Sequence, residues 1–146
     1  MYNQCSVSMV RQMSQLDNAA LIIGRSLLGL YFIGPGIAKF LDWQMHVDLM
    51  TYHNVPFIEP LLFIAAIANL VLGGLLISNR LVWMAAYGCV AYIIVINFYL
   101  HDFWNMVGIE AKHETQNFFK NIGIVAGCLM LASYSRVRGS DSSHTE

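Results

Sequence analysis

Four apolar stretches, residues 19–41, 58–78, 81–100 and 117–135, fill most of this 146-residue chain. The hydrocarbon core of a bilayer is about 30 Å thick and takes roughly 20 residues of helix, so each stretch is long enough to cross it. No water reaches the backbone at that depth, and a helix satisfies its own amides. The expected fold is all-α, an antiparallel bundle of four transmembrane helices with the lipid bilayer as solvent. Composition agrees: hydrophobic residues are 57% of the chain, charged residues 12% and the mean hydropathy +0.54, which leaves too little polar surface to coat a soluble domain.

No stretch remains for a second core, so the chain reads as one domain. Residues 1–18 form an N-terminal cytoplasmic tail, 19–135 the membrane domain and 136–146 a disordered cytoplasmic tail. The first apolar stretch is too long for a signal-peptide core and lacks a small-x-small cleavage site, so it stays in the mature protein. Arg11, Arg80, Arg136 and Arg138 gather on one side, against Lys112 with Lys39 and Lys120 at helix ends on the other. The positive-inside rule then places both termini in the cytoplasm.

Spans two and three are separated by little more than Asn79 and Arg80, which demands a tight helical hairpin. Trp43, Val47, Leu49 and Met50 recur at helical spacing with Gln44, His46 and Asp48 on other faces, so a short interfacial helix is expected between helices 1 and 2. It ends at His53-Asn54-Val55-Pro56, where the proline disfavours a helical predecessor. The connection over residues 101–116 is polar, carries Gly108 and reads as a loop or a frayed helix cap.

Several function classes fall away. The net charge of -1 and the scattered Lys and Arg offer no stripe for a phosphate backbone, so nucleic acid is not an expected partner. Cys5, Cys89 and Cys128 form no C-x-x-C, and the two inside spans read as small apolar packing groups. The histidines make no H-E-x-x-H pair and none falls deep in a span, so neither a metal nor a haem is expected.

The candidate residues are the polar and the conformationally special ones inside or beside the spans. Arg25 sits about 9 Å of helix rise inside span one, where it snorkels to the boundary, pairs structurally or binds a ligand. Gly34-Pro35-Gly36 is expected to bend or loosen that span, freeing carbonyls. Asn69 in span two is costly in lipid and is expected to face the bundle. Gly73 and Gly74, and Gly123 with Gly127 in span four, suit close helix packing, the latter pair also self-association into a homo-oligomer. Near the outer face, Lys39, Asn97, His101, Trp104, Lys120 and Asn121 gather cations, amides, an imidazole and an aromatic ring. Such a set either holds the carbonyl oxygens and ring of a quinone or forms an ordinary interfacial belt.

Ile22-Ile23-Gly24-Arg25 through Tyr31-Phe32-Ile33-Gly34-Pro35-Gly36-Ile37-Ala38-Lys39-Phe40 resembles the first helix of the DoxX family of small four-helix membrane proteins. Val55-Pro56-Phe57, Gly73-Gly74, His101-Asp102-Phe103-Trp104 and Phe119-Lys120-Asn121 follow in the family's order, so the resemblance spans about residues 19–135. It implies a bacterial inner-membrane protein similar to the small subunits of thiosulfate:quinone oxidoreductases, or one working with soluble redox partner proteins on superoxide or sulfur species. The residues it implicates are Arg25, Gly34, Lys39, Gly73, Gly74, His101, Phe103, Trp104, Lys120 and Asn121. One departure stands out: Asn69 occupies a position where members often carry a glutamate, and an amide cannot supply that charge or relay its proton.

The leading expectation is thus a membrane subunit or anchor of a quinone-linked redox system, with quinone as the one candidate cofactor. The chain carries no dinucleotide fingerprint or iron-sulfur cysteine array, so another protein or the substrate would supply electrons. The alternative is a non-enzymatic scaffold or a small oligomeric transporter.

Overall fold

Only a few residues are available to turn the second span into the third, and asparagine makes so short a turn feasible. The computed structural model describes residues 2–143, and the side chains of residues 15–137. Its elements are α1 (Tyr2–Leu41), α2 (Trp43–Tyr52), α3 (Ile58–Ile77), α4 (Val82–Leu100), a single 3-10 turn (Phe103–Asn105) and α5 (Gly108–Ser143). At the end of α3, Asn79 takes a left-handed φ of 58°. Its amide donates to Leu76 O at 3.4 Å while that of Arg80 donates to Leu75 O at 3.1 Å, so the last carbonyls of the helix are satisfied as the chain reverses. Asparagine tolerates this conformation better than other non-glycine residues.

The same device ends α2. Asn54 has a φ of 53°, its amide donates to Thr51 O at 3.0 Å, and the Val55 amide donates to Met50 O at 3.0 Å. Val55 and Met50 are both buried in one small apolar cluster with Leu62, the hydrophobic contact that accompanies such a cap. Pro56 then prevents the helix from resuming.

Four helical segments are long and apolar enough to span a membrane: Gln15–Leu41, Ile58–Ile77, Val82–Asn105 and Gly108–Val137. The chain is a four-span all-helical bundle with α2 between the first two spans, as its sequence predicts. An even number of crossings brings both termini to one end of the bundle, here termed proximal, and sets α2 and the 3-10 turn at the distal end. The two long helices run past their spans, α1 back to Tyr2 and α5 on to Ser143.

One connection is shorter than the sequence suggests. Residues 108–116 are not loop but the opening turns of α5, and the connection shrinks to residues 101–107. Glu110, Lys112, Glu114 and Gln116 are good helix formers, and the Thr115 hydroxyl satisfies itself on Ala111 O at 2.6 Å instead of competing with the helix. The polarity that made this segment look like a loop serves the distal site instead.

Helix α1 also departs from expectation. It runs through Pro35 without interruption to Leu41. The proline sits on the exposed face, while Gly36 beside it packs so closely on α3 that an added Cβ would stand 3.0 Å from Asn69 Cβ and 2.9 Å from Leu70 Cδ2. Tight packing on one side holds the helix where one backbone donor is missing on the other. Gly73 likewise permits the α1 and α3 backbones to touch, whereas Gly34, Gly74, Gly123 and Gly127 have nothing within 4 Å of where a side chain would begin. Within one chain, no neighbour stands close to where the side chains of those four glycines would begin.

Candidate functional site

The asparagine-capped turn after α2 and the short distal connection aim a set of titratable side chains at one another. The turn after α2 directs His53 inward, where its side chain is 3% exposed and Nδ1 lies 2.8 Å from Asp102 Oδ1. A carboxylate only accepts, so the imidazole nitrogen facing it carries the proton. The other oxygen of Asp102 accepts from Asn105 Nδ2 at 2.8 Å, which fixes the carboxylate to the 3-10 turn. A second pair stands beside it. His101, just past α4, brings Nδ1 to 2.5 Å from Glu114 Oε2 on α5, and the same oxygen accepts from Asn117 Nδ2 at 3.3 Å.

Between α2 and the start of α5 lies a cavity of about 330 Å³, lined by Leu49, Tyr52 and His53 on one side and Met106, Ile109, Glu110, His113 and Glu114 on the other. Its volume is at the lower end of the range for small-molecule sites. The Tyr52 hydroxyl donates to Glu110 Oε2 at 3.2 Å across one edge. That bond, with the charge of Glu110 behind it, holds the phenol protonated above its usual range. The cavity therefore combines apolar walls with two histidines, two carboxylates and a phenol, and through Glu114 it touches the His101 pair. Among the described residues, no group of three or more His, Cys, Asp or Glu is arranged to hold a metal ion.

Deeper in the bundle runs a chain of amides. Tyr31 OH donates to Asn121 Oδ1 at 3.2 Å, Asn121 Nδ2 to Asn97 Oδ1 at 2.8 Å, and Asn97 Nδ2 to Phe118 O at 3.3 Å. Three helices are tied together by it, and both asparagines are buried. Lys39 is buried as well, at 9% exposure, with Nζ donating to Pro35 O at 3.3 Å and no carboxylate within ion-pair distance among the described residues.

The residues expected to form one ligand site therefore fall into several places. Asn97 and Asn121 meet each other, and His101 joins the distal cavity through Glu114. Trp104 instead packs among Phe98, Phe103 and Phe118 at 5.2 to 6.2 Å between ring centres, and Lys120 is exposed with Nζ on Asn117 Oδ1 at 2.9 Å. Arg25 is 14 residues before Lys39, about 21 Å of helix, and shares no site with the distal set.

The DoxX family model matches residues 20–102, more than half of the chain. The chain belongs to the DoxX family. No curated protein and no solved structure gives a match.

In this DoxX protein the position of Asn69 gains meaning from the packing. It lies against Gly36, 11 residues beyond Arg25 or about 16 Å along α1, so the two are not brought together. Asn69 is 1% exposed, with no hydrogen-bond partner for its Oδ1 among the described residues, and its side chain faces the buried Tyr92 hydroxyl on α4. Sequence reasoning did not single out the cavity residues Tyr52, His53, Glu110, His113 and Glu114 as a ligand site. Glu110, His113 and Glu114 recur at intervals of three or four, and assigning them to a helix would have placed them on one face.

Proposed function

We propose that this DoxX protein is the membrane subunit or anchor of a quinone-linked redox system, with the distal cavity receiving the quinone head group. The observation that carries the reading is the placement of a ring-sized cavity directly beside two histidine-carboxylate pairs. A quinone becomes a quinol by taking up two electrons and two protons, and histidines beside carboxylates deliver protons near neutral pH. His113, and His53 in its doubly protonated form, supply donors to the carbonyl oxygens, while Leu49, Met106 and Ile109 flank the ring. The chain's contribution is binding and proton delivery. Electrons come from a soluble redox partner acting on sulfur or oxygen species, as the family resemblance implies.

In this reading the protein lies in the bacterial inner membrane with both termini cytoplasmic and the cavity at the opposite face. The amide chain of Tyr31, Asn121 and Asn97 is a structural tie below the site rather than part of it. A photoreactive short-chain quinone, added to purified protein in lipid nanodiscs, tests the proposal. Crosslinks are expected on α2 and on the first two turns of α5, weakened in Glu110→Gln and His113→Ala but not in Lys112→Ala. Labelling spread over the lipid-facing helices, or unchanged in the two cavity variants, would refute it. A scaffold without a ligand would instead co-purify a soluble partner equally well in those variants.

A further inference from the structure

The guanidinium of Arg25 is the one described cation whose buried donors go unanswered. Its Nε and Nη1 are both shielded and have no hydrogen-bond partner among the described residues. Four residues before it and three after it, Leu21 and Leu28 pack against the central apolar cluster, so residue 25 lies on the bundle-facing side of α1. One turn further, an added Cβ on Gly29 would meet Gly73 O at 2.8 Å and Ile77 Cγ1, which sets Arg25 abreast of the turn between α3 and α4. That turn carries the exposed Arg80, and on its far side the guanidinium of Arg136 lies over the Trp83 ring at 5.8 Å. The acid nearest to Arg25 along α1 is Asp17, eight residues away or about 12 Å, and it forms no ion pair among the described side chains.

We propose that Arg25 is the inner anchor of a binding site for the phosphate of an anionic phospholipid, with Arg80 and Arg136 supplying positive charge at its rim. Guanidinium donors shielded from water and left unpaired are costly, and a phosphate diester presents oxygens that match their fork. The depth selects the source. The apolar parts of α3 and α4 both end at the turn that Arg25 faces, and Trp83 marks the headgroup level there, so an anion reaching Arg25 from the membrane is a lipid headgroup. Three arginines with no paired carboxylate among the described residues favour a headgroup of net negative charge over a zwitterionic one. The site is independent of the distal cavity and of any redox role.

The test is native mass spectrometry of the full chain released from nanodiscs containing equal parts phosphatidylglycerol and phosphatidylcholine. The wild type should retain phosphatidylglycerol in preference to phosphatidylcholine, by about tenfold, and Arg25→Gln should lose that preference while Arg25→Lys keeps part of it. Equal retention of the two lipids by the wild type, or an unchanged preference in Arg25→Gln, would overturn the proposal. Displacement of the lipid by millimolar orthophosphate would identify a soluble-anion site and overturn it too. Should Arg25→Gln fail to fold, thermal unfolding of the wild type decides: stabilisation by phosphatidylglycerol over phosphatidylcholine supports the site, and its absence counts against it.

Discussion

The carbonyl oxygen of Gly29 occupies the space that a side chain on Gly73 would need: a Cβ there would stand 2.6 Å from it and 2.7 Å from Ile33 Cγ1. Backbone thus meets backbone where α1 crosses α3, and neither partner is a flexible chain end that can swing aside. In lipid, where no hydrophobic effect drives helices together, such close approach is a main source of association energy.

Gly73→Ala is therefore expected to destabilise the bundle by about 1–3 kcal/mol, the range for forcing extra volume into a packed contact. Its neighbour is the control. Gly74 has nothing within 4 Å of its missing Cβ, so Gly74→Ala is expected to be neutral or stabilising by up to about 1 kcal/mol through helix propensity. Thermal unfolding of the two variants in one detergent compares them directly, and equal effects would mean that the crossing is looser than described.

The His101 and Glu114 pair closes the distal ends of α4 and α5 at 2.5 Å, with both side chains about one-fifth exposed. A double-mutant cycle with His101→Ala and Glu114→Ala is expected to give a coupling of about 0.5–1.5 kcal/mol, above the median for a surface pair because the groups are partly shielded. A coupling near zero would show that the pair does not hold the connection closed.

The number of spans and the interfacial helix were legible because they rest on hydropathy and helical period, which the bilayer enforces on every span. The distal cavity was not, since it depends on where a polar helix begins. Residues 108–116 carry few apolar positions to mark a face, so charge alone suggested a loop. Burial of Asn69 followed from the expense of an amide in lipid, whereas Asn97 and Asn121, read as polar groups near the outer face, gave no sign of burial or of their partners. Asn97 pairs with Asn121 because of the α4 and α5 register, which only the packed structure sets. Similarly, Gly123 and Gly127 share the spacing of a packing motif yet face open space, because spacing does not say which side of a helix meets a neighbour.

Asn121 is the centre of its chain, accepting from Tyr31 and donating to Asn97. Asn121→Leu removes two hydrogen bonds and leaves the Asn97 carbonyl oxygen buried without its donor, whereas Tyr31→Phe removes one bond at the partly exposed end. The expected losses are about 1–3 kcal/mol for the first and about 0.5–1 kcal/mol for the second. If Tyr31→Phe proves the more damaging, the phenol has a role beyond this chain.

Tyr52 gives a pH signature for the cavity edge. Its hydroxyl bonds to Glu110, and that bond, the Glu110 charge, desolvation and the more distant charge of Asp102 all raise its pKa above the ordinary 10.0. A group raised in the folded state binds its proton more tightly there than in the unfolded chain. The stabilisation is therefore complete below the ordinary tyrosine pKa and is lost as the pH climbs through the raised one. Tyrosinate absorbance, taken as the difference between wild type and Tyr52→Phe, should show this phenol ionising above 10.0. Glu110→Gln removes the charge and weakens the acceptor, so the same difference measured in that background should move back down toward 10.0. An unmoved midpoint would mean that Tyr52 does not sit against Glu110, and the edge of the cavity would have to be redrawn.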